Sequence, residues 1–178
     1  MANRMIFFGI IALFGMGGSA LTHVNRVPQK QDLAGLKAAA VMAKAPNEVR
    51  NYRKGDAVIA AARRRGQETL PRFRELCHPF VRGVCSVKFP LTQNGRTEHI
   101  WLQVDKVGKD SFTGRLANKP VNGSKYRLGQ QMTVAADDVE DWMLRTAGQE
   151  IYGNYTLRAM LKDMPKDEAS VFRKMLRD

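Results

Sequence analysis

Glu98 and His99 place a carboxylate next to an imidazole, side-chain types that commonly move protons in catalytic sites. Adjacent residues of a strand point to opposite faces, so on a strand these two cannot bond each other. Hydrolase-like chemistry would need His99 to meet Asp141, Asn118 or Arg158 in space, because a general base acts only within hydrogen-bond reach of its partners. His99 shares its face with Trp101 and Gln103, while Ile100, Leu102 and Val104 turn to the core. Left uncovered, a face with Trp and His suits the binding of a partner or ligand; covered by a helix, the Trp is core.

Asn118 is either a hydrogen-bonding group for a ligand or, with Gly114, Pro120 and Gly123, a device for turning the backbone. Asp137, Asp138, Glu140 and Asp141 form an acidic cluster, but their spacing does not match a calcium loop and the turn such a loop needs lacks its Gly. A capped turn followed by a strand fits them better. Tyr155 and Arg158 are three apart on one helical face, and Arg158 is a candidate ion-pair partner for Asp141. Cys77-His78 and Cys85 match no zinc spacing, so the expectation is no metal and no cofactor. No Ser or Cys sits in a nucleophile elbow, and no paired His at helical spacing suggests a zincin. The residues left as a binding set are His99, Trp101, Asn118, Asp141 and Arg158, with no catalytic set.

The elements that must position them follow from periodicity. Asp56 is a candidate N-cap, and Ile59, Ala62, Gly66, Leu70, Phe73 and Cys77 then recur at helical spacing on one face. The Arg63–Arg65 side is expected to face solvent, with a break near Thr69 ahead of Pro71. From Val84 to Phe89 the period becomes two, placing Cys85, Val87 and Phe89 together. Asn94-Gly95 is a hairpin signal leading to a strand from Thr97 to Val104. Further strands are expected over Phe112–Asn118, Met132–Ala135 and Val139–Leu144, the last being open to a helical-turn reading. Asn154 can cap a helix from Tyr155 to about Asp163, and Asp167 can cap a last helix ending near Arg177.

Before this region, Arg4 and the apolar Met5–Met16 run ending in Gly17-Gly18-Ser19-Ala20 read as an export signal cleaved after Ala20, or as an uncleaved anchor. The 178 residues carry a net charge of +12. Twelve Lys and Arg stand against five Asp and Glu from Leu21 to Glu75, so the excess sits in the arm and first helix. Such an arm can lie on an anionic membrane surface or simply be solvated. Nucleic acid is not an expected partner, since aromatics are not interleaved with Arg63-Arg64-Arg65. In an oxidising compartment Cys77 and Cys85 are candidates for a disulfide tying the end of the helix to the first strand.

Spaced motifs between Asp56 and Leu161 resemble the bacterial domain of unknown function 2314. They are the Ala/Arg helix leading to Leu70 and Phe73, Val87-Lys88, Glu98-His99-Ile100-Trp101, Gly114-Arg115-Leu116-Ala117-Asn118-Lys119-Pro120, Gly129, Asp141-Trp142 and Gly153-Asn154-Tyr155-Thr156-Leu157-Arg158. The resemblance implies small single-domain proteins, some exported, and carries no established activity or catalytic residues. The basic arm and the cysteine pair are outside its pattern.

The expected architecture is α+β: a small antiparallel sheet of about 4–6 strands flanked by an N-terminal helix and short C-terminal helices. The expected organisation is a signal or anchor over 1–20, a basic tether over 21–53, the α+β domain over 54–164 and a C-terminal helix over 165–178. The expected role is an exported, non-catalytic binding or accessory protein of the cell envelope, periplasmic or secreted after cleavage, or anchored in the inner membrane and facing the periplasm. Its partner would be an unknown protein or envelope ligand.

Overall fold

Asp56 opens the first helix as its residue type predicts. In a computed structural model of the chain, its carboxylate accepts the N–H groups of Val58 (2.9 Å) and Ile59 (3.2 Å) at the start of α1, Ala57–Glu68. The structure describes residues 4–7, 50–53, 56–77 and 82–178. Thr69 ends α1, and α2 (Leu70–Leu76) continues with Pro71 in its first turn, where a missing N–H costs nothing. The predicted face is buried through Ile59, Ala62, Gly66, Leu70 and Phe73. Cys77, the C-cap of α2, is bonded to Cys85 of the following strand, with their Cα atoms 6.0 Å apart.

Among the described residues, nine strands form one sheet. They are β1 (Arg4–Phe7), β2 (Arg50–Arg53), β3 (Gly83–Gln93), β4 (Arg96–Val107), β5 (Ser111–Leu116), β6 (Gln131–Ala135), β7 (Asp141–Thr146), β8 (Ile151–Gly153) and β9 (Leu176–Arg177). β3 and β4 make the predicted hairpin, with Asn94 and Gly95 both at positive φ, as its two-residue turn requires. β3 pairs on its other edge with β7, which continues to β8 and then β9. The far edge of β4 is divided between β1, beside Glu98 and His99, and β5, from Leu102 onward. β6 closes that side against β5. All pairings are antiparallel except β1–β4 and β8–β9.

The α+β class stands, but the sheet exceeds the expected four to six strands. The additions are β1, β2, β8 and β9, of two to four residues each, too short to show a period of two. The export-signal and tether expectations over 1–53 lie outside the described residues apart from β1 and β2. Among the described residues, no helix is long and apolar enough to cross a membrane.

The centre of the sheet is buried on both faces. One face carries Val87, Phe89, Leu91, Ile100, Leu102, Phe112 and Trp142 against Leu70 and Phe73 of α2. The other carries Trp101, Met143 and Ile151 against Leu157 of α3 (Tyr155–Met160) and Ala169, Phe172 and Met175 of α4 (Lys166–Met175). The C-terminal helix is thus part of the domain core. The acidic cluster becomes a 3₁₀ turn at Ala136–Asp138 leading into β7. α1 packs on α3 through Ile59 and Met160, and crosses β7 at Gly66. A Cβ on Gly66 would stand 2.5 Å from the Glu140 carbonyl oxygen and 2.9 Å from Asp141 Cα, so only glycine permits this approach.

A buried charged cluster as the candidate functional site

Pairing register builds the site's first row. Lys88 on β3 stands directly opposite Trp101 on β4 and, on its other side, opposite Asp141 on β7. Side chains at directly paired positions share a face, so Trp101, Lys88 and Asp141 lie side by side across three strands. All three are 0% exposed. Lys88 Nζ sits 4.5 Å from the centroid of the Trp101 ring, within cation–π range, and donates to Thr156 Oγ1 at 2.7 Å. That hydroxyl donates in turn to Asp141 Oδ2 at 2.6 Å.

Asp141 is further held by main-chain donors. Its Oδ2 accepts the Thr156 N–H (2.8 Å), and its Oδ1 accepts those of Trp142 (2.9 Å) and Tyr155 (3.0 Å). Two of these are first-turn amides of α3, which otherwise have no helical acceptor. Asn154, expected to cap this helix, adopts a left-handed conformation and makes no capping bond. Its amide nitrogen reaches the sulfur of Met143 instead. The cap therefore arrives from a strand rather than from the residue before the helix.

Burial dominates the acid–base properties of this row. It lowers the Lys88 ammonium to about 8, against the opposing pull of Asp141 and Glu140. It raises the Asp141 carboxyl, opposed by Lys88 and by the Thr156 bonds.

Two residues before Trp101 on β4, on the same face, His99 forms the second group. Its Nδ1 lies 2.5 Å from Glu140 Oε2, while Arg63 Nη2 lies against both ring nitrogens, 2.9 Å from Nε2 and 3.2 Å from Nδ1. Arg63 Nη1 completes the ring to Glu140 Oε1 at 3.2 Å. A carboxylate only accepts and a guanidinium only donates, so a neutral ring protonated on Nδ1 turns its N–H to Glu140 and leaves the Nε2 lone pair on the Arg63 side. Burial, the largest influence, lowers the His99 pKa despite the adjacent Glu140, which keeps the ring neutral. Both ring nitrogens are occupied, and His99 is 2% exposed. The arrangement joins α1, β4 and the start of β7.

The five expected binding residues separate into two groups. His99, Trp101 and Asp141 share one face, but α1 covers it at His99 and α3 and α4 cover it at Asp141 and Trp101, so the uncovered reading gives way to the buried one. Asn118 Oδ1 accepts the Trp101 N–H at 2.9 Å, while Ala117 donates to the Trp101 carbonyl (2.9 Å). Asn118 thus completes the backbone of β4 where β5 leaves it. Arg158 does not meet Asp141. Its Nε donates to the Gly153 carbonyl (2.8 Å), and its guanidinium reaches Asp178 (3.2 Å) and the Arg177 carbonyl, tying α3 to the C-terminus.

Lys88, Thr156, Glu140 and Arg63 complete the cluster without having been singled out as site residues. Arg63 also departs from its expected solvent-facing position, because its guanidinium turns back over the helix flank to His99 and Glu140. Among the described residues, no group of three or more His, Cys, Asp and Glu side chains is arranged to hold a metal ion.

Comparison with known proteins gives no activity. A family model described as "Uncharacterized protein conserved in bacteria (DUF2314)" matches residues 59–176. An uncharacterized protein of Escherichia coli (strain K12), YegJ, is 33% identical over 118 residues, covering 66% of this chain and 76% of that protein. A putative ankyrin repeat protein of Neisseria meningitidis serogroup B is 33% identical over 88 residues, covering 46% of this chain and 34% of that protein. No solved structure matches.

Proposed function

For a chain that belongs to this bacterial family of uncharacterized proteins (DUF2314), we propose an exported, non-catalytic binding or accessory role in the cell envelope. The observation carrying the proposal is the internal use of His99: Glu140 and Arg63 together engage both nitrogens of a ring that is 2% exposed. A general base needs a free nitrogen within reach of the proton it removes. The Cys77–Cys85 bond supports the compartment, since such bonds persist in oxidising surroundings and are rare in reducing ones.

The test is cell fractionation of the full chain with thiols alkylated at lysis. The expected result is an envelope-located chain whose cysteines resist alkylation until reduced. A cytoplasmic chain with both thiols modified would overturn the proposal.

A hydrolase-like enzyme using His99 is the second reading, favoured by the 2.5 Å approach of Glu140 to its Nδ1. It requires Arg63 to release Nε2 when substrate binds. Turnover of ester or peptide substrates that is lost in His99→Gln would support it, and absence of turnover in the unaltered chain would remove it.

A further inference from the structure

The segment joining β5 to β6, residues 117–130, has no regular secondary structure and is nevertheless bonded along its length. The buried Glu98 carboxylate accepts the N–H groups of Val121 (3.0 Å) and Asn122 (3.2 Å). Gln93 Oε1 accepts the Lys125 N–H (3.2 Å), and Asn94 of the β3–β4 turn donates to the Asn122 carbonyl (2.8 Å). At the far end, Gln130 Oε1 accepts the Arg127 N–H at 3.0 Å, and Gly129 donates to the Leu116 carbonyl at 2.7 Å. These bonds fix the loop against the hairpin tip.

The fixed loop leaves an unusual set of side chains outside. Lys119, Lys125 and Arg127 are exposed, as is Arg96 on the hairpin beside it. Neither residues 117–130 nor Thr92–Thr97 contain any Asp or Glu, so these cations have no carboxylate within their own segments. Val121 is 55% exposed and Leu128 61%; with Val58 they are the exposed large hydrophobics among the described residues. A long loop held rigidly by a scaffold is a common place for binding residues.

We infer that this loop and the adjoining hairpin tip form a docking edge for an anionic lipid surface. An acidic protein segment would satisfy the cations but leave Val121 and Leu128 in water. The headgroup boundary of a bilayer satisfies both, drawing Lys and Arg to anionic lipid and apolar side chains toward the acyl region. Because the loop is already ordered, little conformational freedom is lost on binding. The inference rests on the envelope reading and gives that role a ligand.

The test places an environment-sensitive nitrobenzoxadiazole probe on Leu128→Cys in the full chain, leaving Cys77–Cys85 intact. Vesicles of equal parts phosphatidylglycerol and phosphatidylcholine should brighten and blue-shift the probe, and added salt should reverse this. Each of Lys119→Gln, Lys125→Gln and Arg127→Gln should lower partitioning about fivefold. A probe silent on these vesicles, or one responding equally to phosphatidylcholine alone, would overturn the inference. So would an equal response to soluble polyglutamate, which would identify an acidic polypeptide as the occupant. Fractionation reads the envelope assignment separately, so a silent probe on an envelope-located chain overturns the lipid surface alone.

Discussion

Asp141 and Thr156, fifteen residues apart in the chain, bond twice: the carboxylate accepts both the N–H (2.8 Å) and the hydroxyl (2.6 Å) of Thr156. Since that hydroxyl also accepts from Lys88, one threonine joins a buried cation to a buried anion and anchors α3 to the sheet. Neither charge faces water, so the stability of each depends on the other and on the bonds between them.

Asp141→Asn tests this dependence. It preserves shape but removes the counter-charge of Lys88 and turns one carboxylate oxygen that accepts main-chain N–H groups into a donor. Breaking a buried pair from one side typically costs about 3–5 kcal/mol. Urea denaturation should show a midpoint lowered by a corresponding amount with little change in slope. An unchanged midpoint would mean that Lys88 is neutral in the folded protein and needs no counter-charge.

Lys88 predicts a rise of stability in alkali. Its folded pKa of about 8 lies below the ordinary lysine value of 10.5. Between these values the unfolded chain holds more protons than the folded one, so stability increases with pH across that window. Denaturation of the unaltered chain and of Lys88→Met from pH 7.5 to 10 should diverge, with the positive slope reduced in the variant. Parallel curves would place the proton elsewhere.

The sequence made some of this arrangement legible and hid the rest for identifiable reasons. Asp56, the Ile59-Ala62-Gly66 spacing and Asn94-Gly95 are local signals, and each has its predicted structural consequence. The alternation of β4 correctly set His99 and Trp101 on one face and Ile100 and Leu102 on the other. Alternation does not say whether a polar-looking face is covered by a second layer, so it sets Lys88 opposite Val87 without showing that Lys88 is buried. Its apposition to Asp141 depends on the β3–β7 register, a long-range pairing that no local pattern encodes. The capping of α3 is hidden from local pattern for the same reason: Asn154 occupies the expected position, while the acceptor comes from β7.

Gly66→Ala should be costly although alanine is the better helix former. The added Cβ meets backbone atoms of Glu140 and Asp141, which cannot swing aside as a flexible side chain would. Forcing an extra methyl group into such a contact typically costs about 1–3 kcal/mol, more than the roughly 1 kcal/mol gained from helix propensity. A thermal melt should show a lower midpoint. A raised one would mean that α1 lies further from β7.

His99 sets the response to acid. Burial holds its folded pKa below the ordinary value of 6.5, even with Glu140 beside it. As pH falls below 6.5, the unfolded chain takes up a proton that the folded chain does not, so the His99 contribution present at neutral pH is progressively lost. Protonation would also place a second donor against Arg63, which has no acceptor to offer it. Measured from pH 7 to 5, the unaltered protein should lose stability more steeply than His99→Gln, whose side chain does not titrate. His99→Gln should start from a lower stability at pH 7, because its amide cannot reproduce both bonds, and the two curves should converge toward pH 5. If they remain parallel, the ring is charged already at neutral pH, and the Arg63–His99–Glu140 group is an ion cluster instead of a neutral latch.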